Sequence, residues 1–447
     1  MNKESVSVIG AGYLGLCTAT GFACKGCKVI SVDRDSKKVV MINRGEAPFY
    51  EPQLETLLQG ALKKGYLKCV LDYKEAIRNT SITFIAVGTP SKPNGSINLR
   101  YIKDSAQEIG KALKEKKGYH LVVVKSTITP GITEKLIKPY LEKYSGKQCG
   151  SDFGLCVNPE FLREGSAIHD TLHPDRIIIG EYDKKSGEAL ENFYRNLYGE
   201  EMPPLIRTNI PTAELIKYAN NAFLAMKISF INEIANICEK IPNADVTCIA
   251  KGIGLDKRIG PLFLGAGLGY GGSCLPKDIK ALIAFSQSLG YRPKLLMAVD
   301  EVNEKQPYKA IELCKKDLNT LKGKRIAILG LAFKPKTDDI RGAVSIKIIK
   351  ALLKEGANVI AYDPAAMYNA RKKLGKRIHY ASSSIDCIKN TDCCIVVTEW
   401  DEFKKLKPDD FVQNMSNPLL IDGRRIYEPK EFCKKLKFRA IGLGQNS

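Results

Sequence analysis

The sequence predicts an α/β protein in which two doubly wound units are joined by a long central helix and a small α-helical domain. Three observations predict it. Over roughly the first 200 residues, short apolar runs (SVSVIG, VISVD, ITFIAV, LVVVKS, LCVNPE, RIIIG) alternate with helix-like segments, the pattern of a parallel sheet with helices on both faces. From Thr212, TAELIKYANNAFLAMKISFINEIANIC continues for about 27 residues without glycine or proline and reads as one helix. From about residue 318, LKGKRIAILGL opens a second strand and helix series with VIAYDP, CCIVVTEW and PLLIDGR. Domains are expected at 1–205, 206–315 and 316–447, with the polar, lysine-rich KDLNTLKGK at 316–324 as the last linker.

The first strand ends in Gly10-Ala11-Gly12-Tyr13-Leu14-Gly15, a G-x-G-x-x-G at a strand-to-helix turn. Gly10 permits the tight turn, Gly12 lets backbone approach a pyrophosphate, and Gly15 allows close helix packing, with the helix N-terminus facing the anion. VISVD places Asp33 at the end of the next strand, 18 residues after Gly15. An acid there hydrogen-bonds the adenosine ribose and repels a 2′-phosphate, so a Rossmann-like unit binding NAD rather than NADP is expected. Arg34 alongside it keeps NADP open.

LVVVKSTITPG brings Lys125, Ser126 and Thr127 to the carboxyl edge of its strand, where Thr127 could hold a water; serine and threonine are also ordinary turn residues. NPEFLREG places Glu160 and Glu164 at a similar edge. Spaced i and i+4 they could share a face, one as proton shuttle and the other near a nicotinamide, or both could be solvated loop acids.

Thr212 is the expected N-cap of the long helix, which is apolar nearly all round and should be buried against other elements or another subunit. Lys217 and Asn221 lie one turn apart on it. A lysine there either has partners, and with the amide could stabilise an oxyanion, or snorkels to solvent.

GYGGSCLPKD at 269–278 puts a thiol among glycines, a lysine and an acid. Simple alcohol oxidation needs no thiol, whereas oxidising an aldehyde through a thiohemiacetal uses one. Cys274 is the candidate nucleophile, Asp278 a base acting directly or through water, and nearby cations would favour thiolate. A glycine loop that contains an inert cysteine is the alternative.

Composition bounds the rest. The chain has 447 residues, 44% of them hydrophobic, and a net charge of +20. The lysines are scattered in short clusters such as Lys63-Lys64, without interleaved aromatics, so a solvated surface is expected rather than a nucleic-acid footprint. No stretch approaches a membrane span and MNKESVSVIG has no signal-peptide core, which points to the cytoplasm. The 14 cysteines read as reduced core thiols, and the single C-x-x-C of Cys24 and Cys27 is expected to be inert rather than a metal or redox pair.

Taken in order, GAGYLG at 10–15, VGTP at 87–90, KST at 125–127, NPEFLREGSA at 158–167, PDRIIIG at 174–180, the helix with Lys217 and Asn221, GYGGSCLPKD, and GLAFKPKTDDIR at 330–341 resemble the UDP-glucose/GDP-mannose dehydrogenase family end to end. The resemblance implies a four-electron oxidation of a sugar C6 alcohol to a carboxylate with two NAD, through a cysteine thioester. By position, it makes Cys274 the nucleophile, Asp278 its acid/base partner, Lys217 and Asn221 the oxyanion stabilisers, and Glu160 and Thr127 the proton and water handlers. It puts Tyr13, Leu14, Lys38, Thr89, Thr127, Glu164, Lys277 and Arg341 with Gly10, Gly12, Gly15 and Asp33 around NAD.

For the nucleotide sugar it implies Glu160, Phe161, Leu162, Lys217, Asn221, Arg258, Phe263, Gly271, Cys274, Phe333, Lys334 and Arg424, no metal, and at least a homodimer in which Arg258 reaches the neighbouring site. KRIGPLF around Arg258, PDRIIIG and DGRRIY at 422–427 resemble the branch that turns UDP-glucose into UDP-glucuronate. Tyr270 and Leu275 depart from its usual phenylalanines, GSCLPKD is shared with the GDP-mannose branch, and Ser273 stands where UDP-N-acetylmannosamine enzymes carry histidine. The same chemistry on one of those sugars is the alternative. A two-electron hydroxyacid dehydrogenase using Lys217 as base would leave Cys274 and the last domain idle, and a nucleotide-sensing regulator would not need the set Cys274, Asp278, Lys217 and Asn221.

Overall fold

In a computed structural model, which describes residues 4–444, the chain divides into two units between Asn220 and Asn221, inside the long helix Ile210–Cys238. The first unit holds β1 (Ser5–Ile9), β2 (Lys28–Val32), β3 (Leu67–Val70), β4 (Ile82–Ile85), β5 (His120–Val124), β6 (Phe153–Val157), β7 (Ile177–Glu181) and β8 (Leu205–Asn209), in the spatial order β3-β2-β1-β4-β5-β6-β7-β8. Its inner strands are mostly apolar because helices cover both faces, and every residue of β5 and β6 is buried; the polar Ser7, Thr83 and His120 on β1, β4 and β5 are buried and bonded to one another. The expected parallel order fails at one pair: β6 and β7 run antiparallel. The 158–176 connection contains only the short helix Ala167–Leu172 and brings the chain back at the same end of the sheet, without the crossover helix a parallel pair requires.

The second unit carries a six-stranded parallel sheet of β9 (Arg325–Leu329), β10 (Asn358–Tyr362), β11 (His379–Tyr380), β12 (Cys393–Val396), β13 (Leu419–Asp422) and β14 (Lys437–Ala440), ordered β11-β10-β9-β12-β13-β14. Both sheets reverse strand order beside their first strand, the position where doubly wound folds take ligands.

Although no sequence repeat relates the two series, their switch points are built alike. Gly10 has φ +99° and Gly330 φ +104°. Each donates its N–H to the last residue of the neighbouring strand, Val32 at 2.7 Å and Tyr362 at 2.8 Å. The next residue donates to an aspartate just after that strand, Ala11 to Asp33 at 2.9 Å and Leu331 to Asp363 at 2.7 Å. Asp363 is filled further by Ala332, Ala365 and Ala366 N–H groups and by Trp400 Nε1. Asp33 takes only one more donor, the N–H of Asp35.

The long helix begins at Ile210, and Asn209 rather than Thr212 caps it: the Asn209 side chain accepts from the Thr212 N–H at 2.9 Å. Pro211 stands in its first turn, where no intrahelical N–H bond is lost. The helix is not buried all round either, because Phe223, Phe230 and Ile237 are 58%, 49% and 50% exposed. Among the described residues no helix is long and apolar enough to cross a membrane. All fourteen cysteines are unbridged; Cys24 is exposed, and Cys27 is buried with its thiol on the Glu4 carbonyl.

Candidate active site

At the first switch point Gly10, Gly12, Asp33, Arg34, Lys38 and Tyr101 line an open cleft of about 270 Å³. Gly10 and Gly15 are fixed by packing, since a Cβ on Gly10 would meet Ala86 O at 2.9 Å and one on Gly15 would strike the Gly10 carbonyl. Gly12 has no such internal reason: its φ is −77° and an added Cβ meets nothing within 4 Å. A glycine whose missing Cβ faces open cleft suits a bound pyrophosphate. Each Asp33 oxygen accepts one backbone N–H and keeps lone pairs for ribose hydroxyls. The donor set therefore fits a dinucleotide.

Arg34 stacks on Tyr101 at 4.5 Å. Tyr13 does not line the cleft; its hydroxyl bonds Glu51, and both receive the Gly165 N–H. Leu14 packs against the core. Thr89 donates to the Thr127 carbonyl at 2.9 Å, tying together the chain ends after β4 and β5.

Glu160 and Glu164 do not share a helical face, because 158–163 forms no helix or strand and 164–166 is a turn. Glu160 turns inward, and Glu164 also buries its Oε2. Glu160 Oε1 pairs with Lys217 at 2.9 Å and Glu160 Oε2 accepts the Leu162 N–H at 2.6 Å. Burial alone would raise the Glu160 carboxyl, but the Lys217 ammonium, the Leu162 N–H and the nearby Lys125 outweigh it and hold it below the ordinary value. Lys217 is buried, not snorkelling, and lies 5.4 Å from the Phe161 ring, whose other neighbour is Arg176 at 3.8 Å. Behind Glu160, Lys125 donates to Asn158 Oδ1 at 2.8 Å, and burial, against the pull of Glu160, lowers it to about 8.

In the second unit Cys274 is exposed at the N-terminus of the helix Leu275–Ser288, with the Ser273 hydroxyl 3.6 Å from its sulfur. Negative charge on that sulfur sits at the positive end of the helix. Asp278, one turn on, is 1% exposed and accepts from Asn221 Nδ2 at 2.6 Å and from Lys277. Both its oxygens are thus engaged, and it orients Asn221 while keeping lone pairs for a further proton.

A Cβ on Gly271 would meet Gly342 O at 2.5 Å, and one on Gly272 would meet the Phe333 ring. Lys334 lies 5.7 Å from that ring. Arg258 is exposed and paired with Asp256, Arg341 is paired with Asp339, and Phe263 has φ +64°. Arg424 donates to Val397 O at 2.6 Å and Gly269 O at 3.1 Å.

Sequence reasoning missed Glu51, which takes the N–H groups of Gly165 and Ala167 and so anchors the loop after Glu160. It also missed Asn232, Asn303 and Gln306 around the glycine loop. Each is a lone polar residue whose partner is distant backbone, which leaves no local pattern to read.

A dinucleotide cleft in one unit and an exposed thiol beside a buried acid and amide in the other define the class, a nicotinamide-linked dehydrogenase with a candidate nucleophile. Residues 4–198, 211–305 and 327–429 match the NAD-binding, central and UDP-binding domain models of the UDP-glucose/GDP-mannose dehydrogenase family. The chain is 45% identical to UDP-glucose 6-dehydrogenase AglM of Haloferax volcanii, over 95% of this chain and 98% of that one. To UDP-glucose 6-dehydrogenase TuaD of Bacillus subtilis it is 42% identical over 96% and 90%. A solved UDP-glucose dehydrogenase from Pyrobaculum islandicum superimposes with a TM-score of 0.92 at 38% identity, covering 99% and 98%; a UDP-D-ManNAc dehydrogenase from Pyrococcus horikoshii gives 0.86 at 27%, covering 99% and 100%. The chain belongs to the UDP-glucose/GDP-mannose dehydrogenase family. It is an NAD-dependent oxidoreductase acting on a nucleotide sugar.

Proposed function

We propose that the chain oxidises UDP-glucose to UDP-glucuronate in two NAD-dependent steps through a thioester on Cys274. The choice of sugar rests on one observation: relatives at 38–45% identity carry UDP-glucose in their names, whereas the UDP-D-ManNAc enzyme stands at 27%. The thioester rests on the exposed thiol at a helix start, with Asn221 held by Asp278.

Gly10, Gly12, Asp33 and Lys38 would hold NAD, which when bound would supply the hydride acceptor for each oxidation. As the C6 carbon loses its first hydride, the proton of its hydroxyl passes by way of a water on Thr127 to the Glu160 carboxylate, which leaves the aldehyde. The Cys274 thiolate then adds to the aldehyde carbon, and Lys217 and Asn221 stabilise the oxyanion. Loss of a second hydride from that carbon leaves the thioester. Water attacks, Asp278 takes its proton, the C–S bond breaks and the thiolate returns as the carboxylate leaves. Phe161, Leu162, Phe333, Lys334 and Arg424 bind the nucleotide sugar, with Arg258 given to the neighbouring copy. The working unit is a homodimer, for which the exposed stripe Phe223, Phe230 and Ile237 is the natural seam.

The test is a panel of UDP-glucose, GDP-mannose and UDP-N-acetylmannosamine, each with NAD, followed by NADH absorbance. UDP-glucose is expected to exceed the others in kcat/KM by at least about 100-fold. Comparable or better turnover of another sugar would overturn the assignment.

A further inference from the structure

The chain from Gly267 to Tyr270 belongs to no strand, yet the N–H and C=O of both its end residues are bonded by side chains. Asn232 Oδ1 accepts the Gly267 N–H at 2.8 Å, and Gln306 Nε2 donates to the Gly267 carbonyl at 2.9 Å. Asn303 takes both sides of Tyr270, its Oδ1 accepting the N–H at 2.8 Å and its Nδ2 donating to the carbonyl at 3.1 Å. That reciprocal pair is what a neighbouring strand would supply. Asn232, Asn303 and Gln306 are 0%, 2% and 1% exposed, and burying three amides is costly unless each is hydrogen-bonded. Gly269 accommodates the contact: its φ is +95°, and a Cβ there would stand 2.8 Å from Asn303 Oδ1. Two residues beyond Tyr270, the Gly272 N–H donates to the Arg341 carbonyl at 3.0 Å, and Cys274 follows immediately before the helix that starts at Leu275.

We infer that Asn303, supported by Asn232 and Gln306, is a positioning residue that fixes where the Cys274 sulfur stands. Its side chain bonds the Tyr270 backbone rather than the sulfur, and it acts through that backbone. The inference rests on Cys274 being the nucleophile. Loss of the clamp leaves two buried backbone groups unpaired and lets the loop relax. The first oxidation, which needs no thiol, continues, while capture of the aldehyde slows and aldehyde escapes.

The experiment compares wild type, Asn303→Ala and Asn303→Asp, the last keeping the acceptor and losing the donor. On protein without NAD or sugar, the alkylation rate of Cys274 by iodoacetamide is read by peptide mass. During turnover, released aldehyde is trapped with hydroxylamine. In Asn303→Ala the alkylation rate should shift by about 10-fold, kcat for carboxylate formation should fall about 100-fold with KM within about threefold, and trapped aldehyde should appear. Asn303→Asp should fall between. If Asn303→Ala does not fold, Asn303→Asp and Gln306→Ala carry the same readouts. Folded variants with wild-type alkylation and no aldehyde would overturn the inference. Wild-type turnover by Cys274→Ser would instead remove the thioester reading, and the alkylation arm would still decide whether Asn303 positions the loop.

Discussion

Lys125 stands at the end of β5 with its ammonium on Asn158 Oδ1, which also receives the Tyr194 hydroxyl at 2.6 Å. Burial lowers it from 10.5 to about 8, so the native state disfavours its proton. The cost is fully present below pH 8 and is relieved as pH rises from about 8 to 10.5. Lys125→Met leaves Asn158 satisfied by Tyr194 and should stabilise the protein by up to about 3 kcal/mol at pH 7, an advantage that shrinks by pH 10. Thermal unfolding of both proteins at the two pH values checks this; a pH-independent loss of stability would count against it. The sequence located Lys125 at a strand end but could not tell that its partner is Asn158, because that bond joins neighbouring strands. Glu160 and Lys217 are similar. Each was legible as a candidate, and their pairing at 2.9 Å was not, being a contact between a loop and a helix 57 residues apart.

The long helix was legible as an element because 27 residues without a breaker leave few alternatives, but its start and its faces were not. Asn209 won the cap from Thr212 because its side chain reaches the third N–H of a helix that begins two residues earlier. Near-uniform hydrophobicity concealed that one stripe is about half exposed among the described residues. Phe223, Phe230 and Ile237 recur every seven residues and so share a face. Phe230→Glu should convert a dimer to monomers in sedimentation velocity at micromolar concentration; an unchanged boundary would place the seam elsewhere. The same limit applied to the strands. β3 and β8 are short or half-exposed and lack the continuous apolar run that marked β5.

At the scale of the molecule, one architecture appears twice with one decisive difference, the number of donors on the switch-point aspartate. Asp33, with two, should act on ligand: Asp33→Ala is expected to weaken NAD binding about 10-fold or more and to change stability little. Asp363, with five, is structural, and Asp363→Ala should cost about 3–5 kcal/mol while any folded fraction binds NAD normally. Calorimetric titration with NAD and thermal unfolding separate the two; equal effects would refute the distinction. Only the first aspartate was legible, because it follows a glycine fingerprint, whereas GLAF carries none. The central claim is that the Cys274 thiol holds the sugar between two oxidations, and the count of NADH formed per UDP-glucose consumed tests it most directly. The account predicts two, with UDP-glucuronate as product; a count of one, with the aldehyde accumulating, would contradict it.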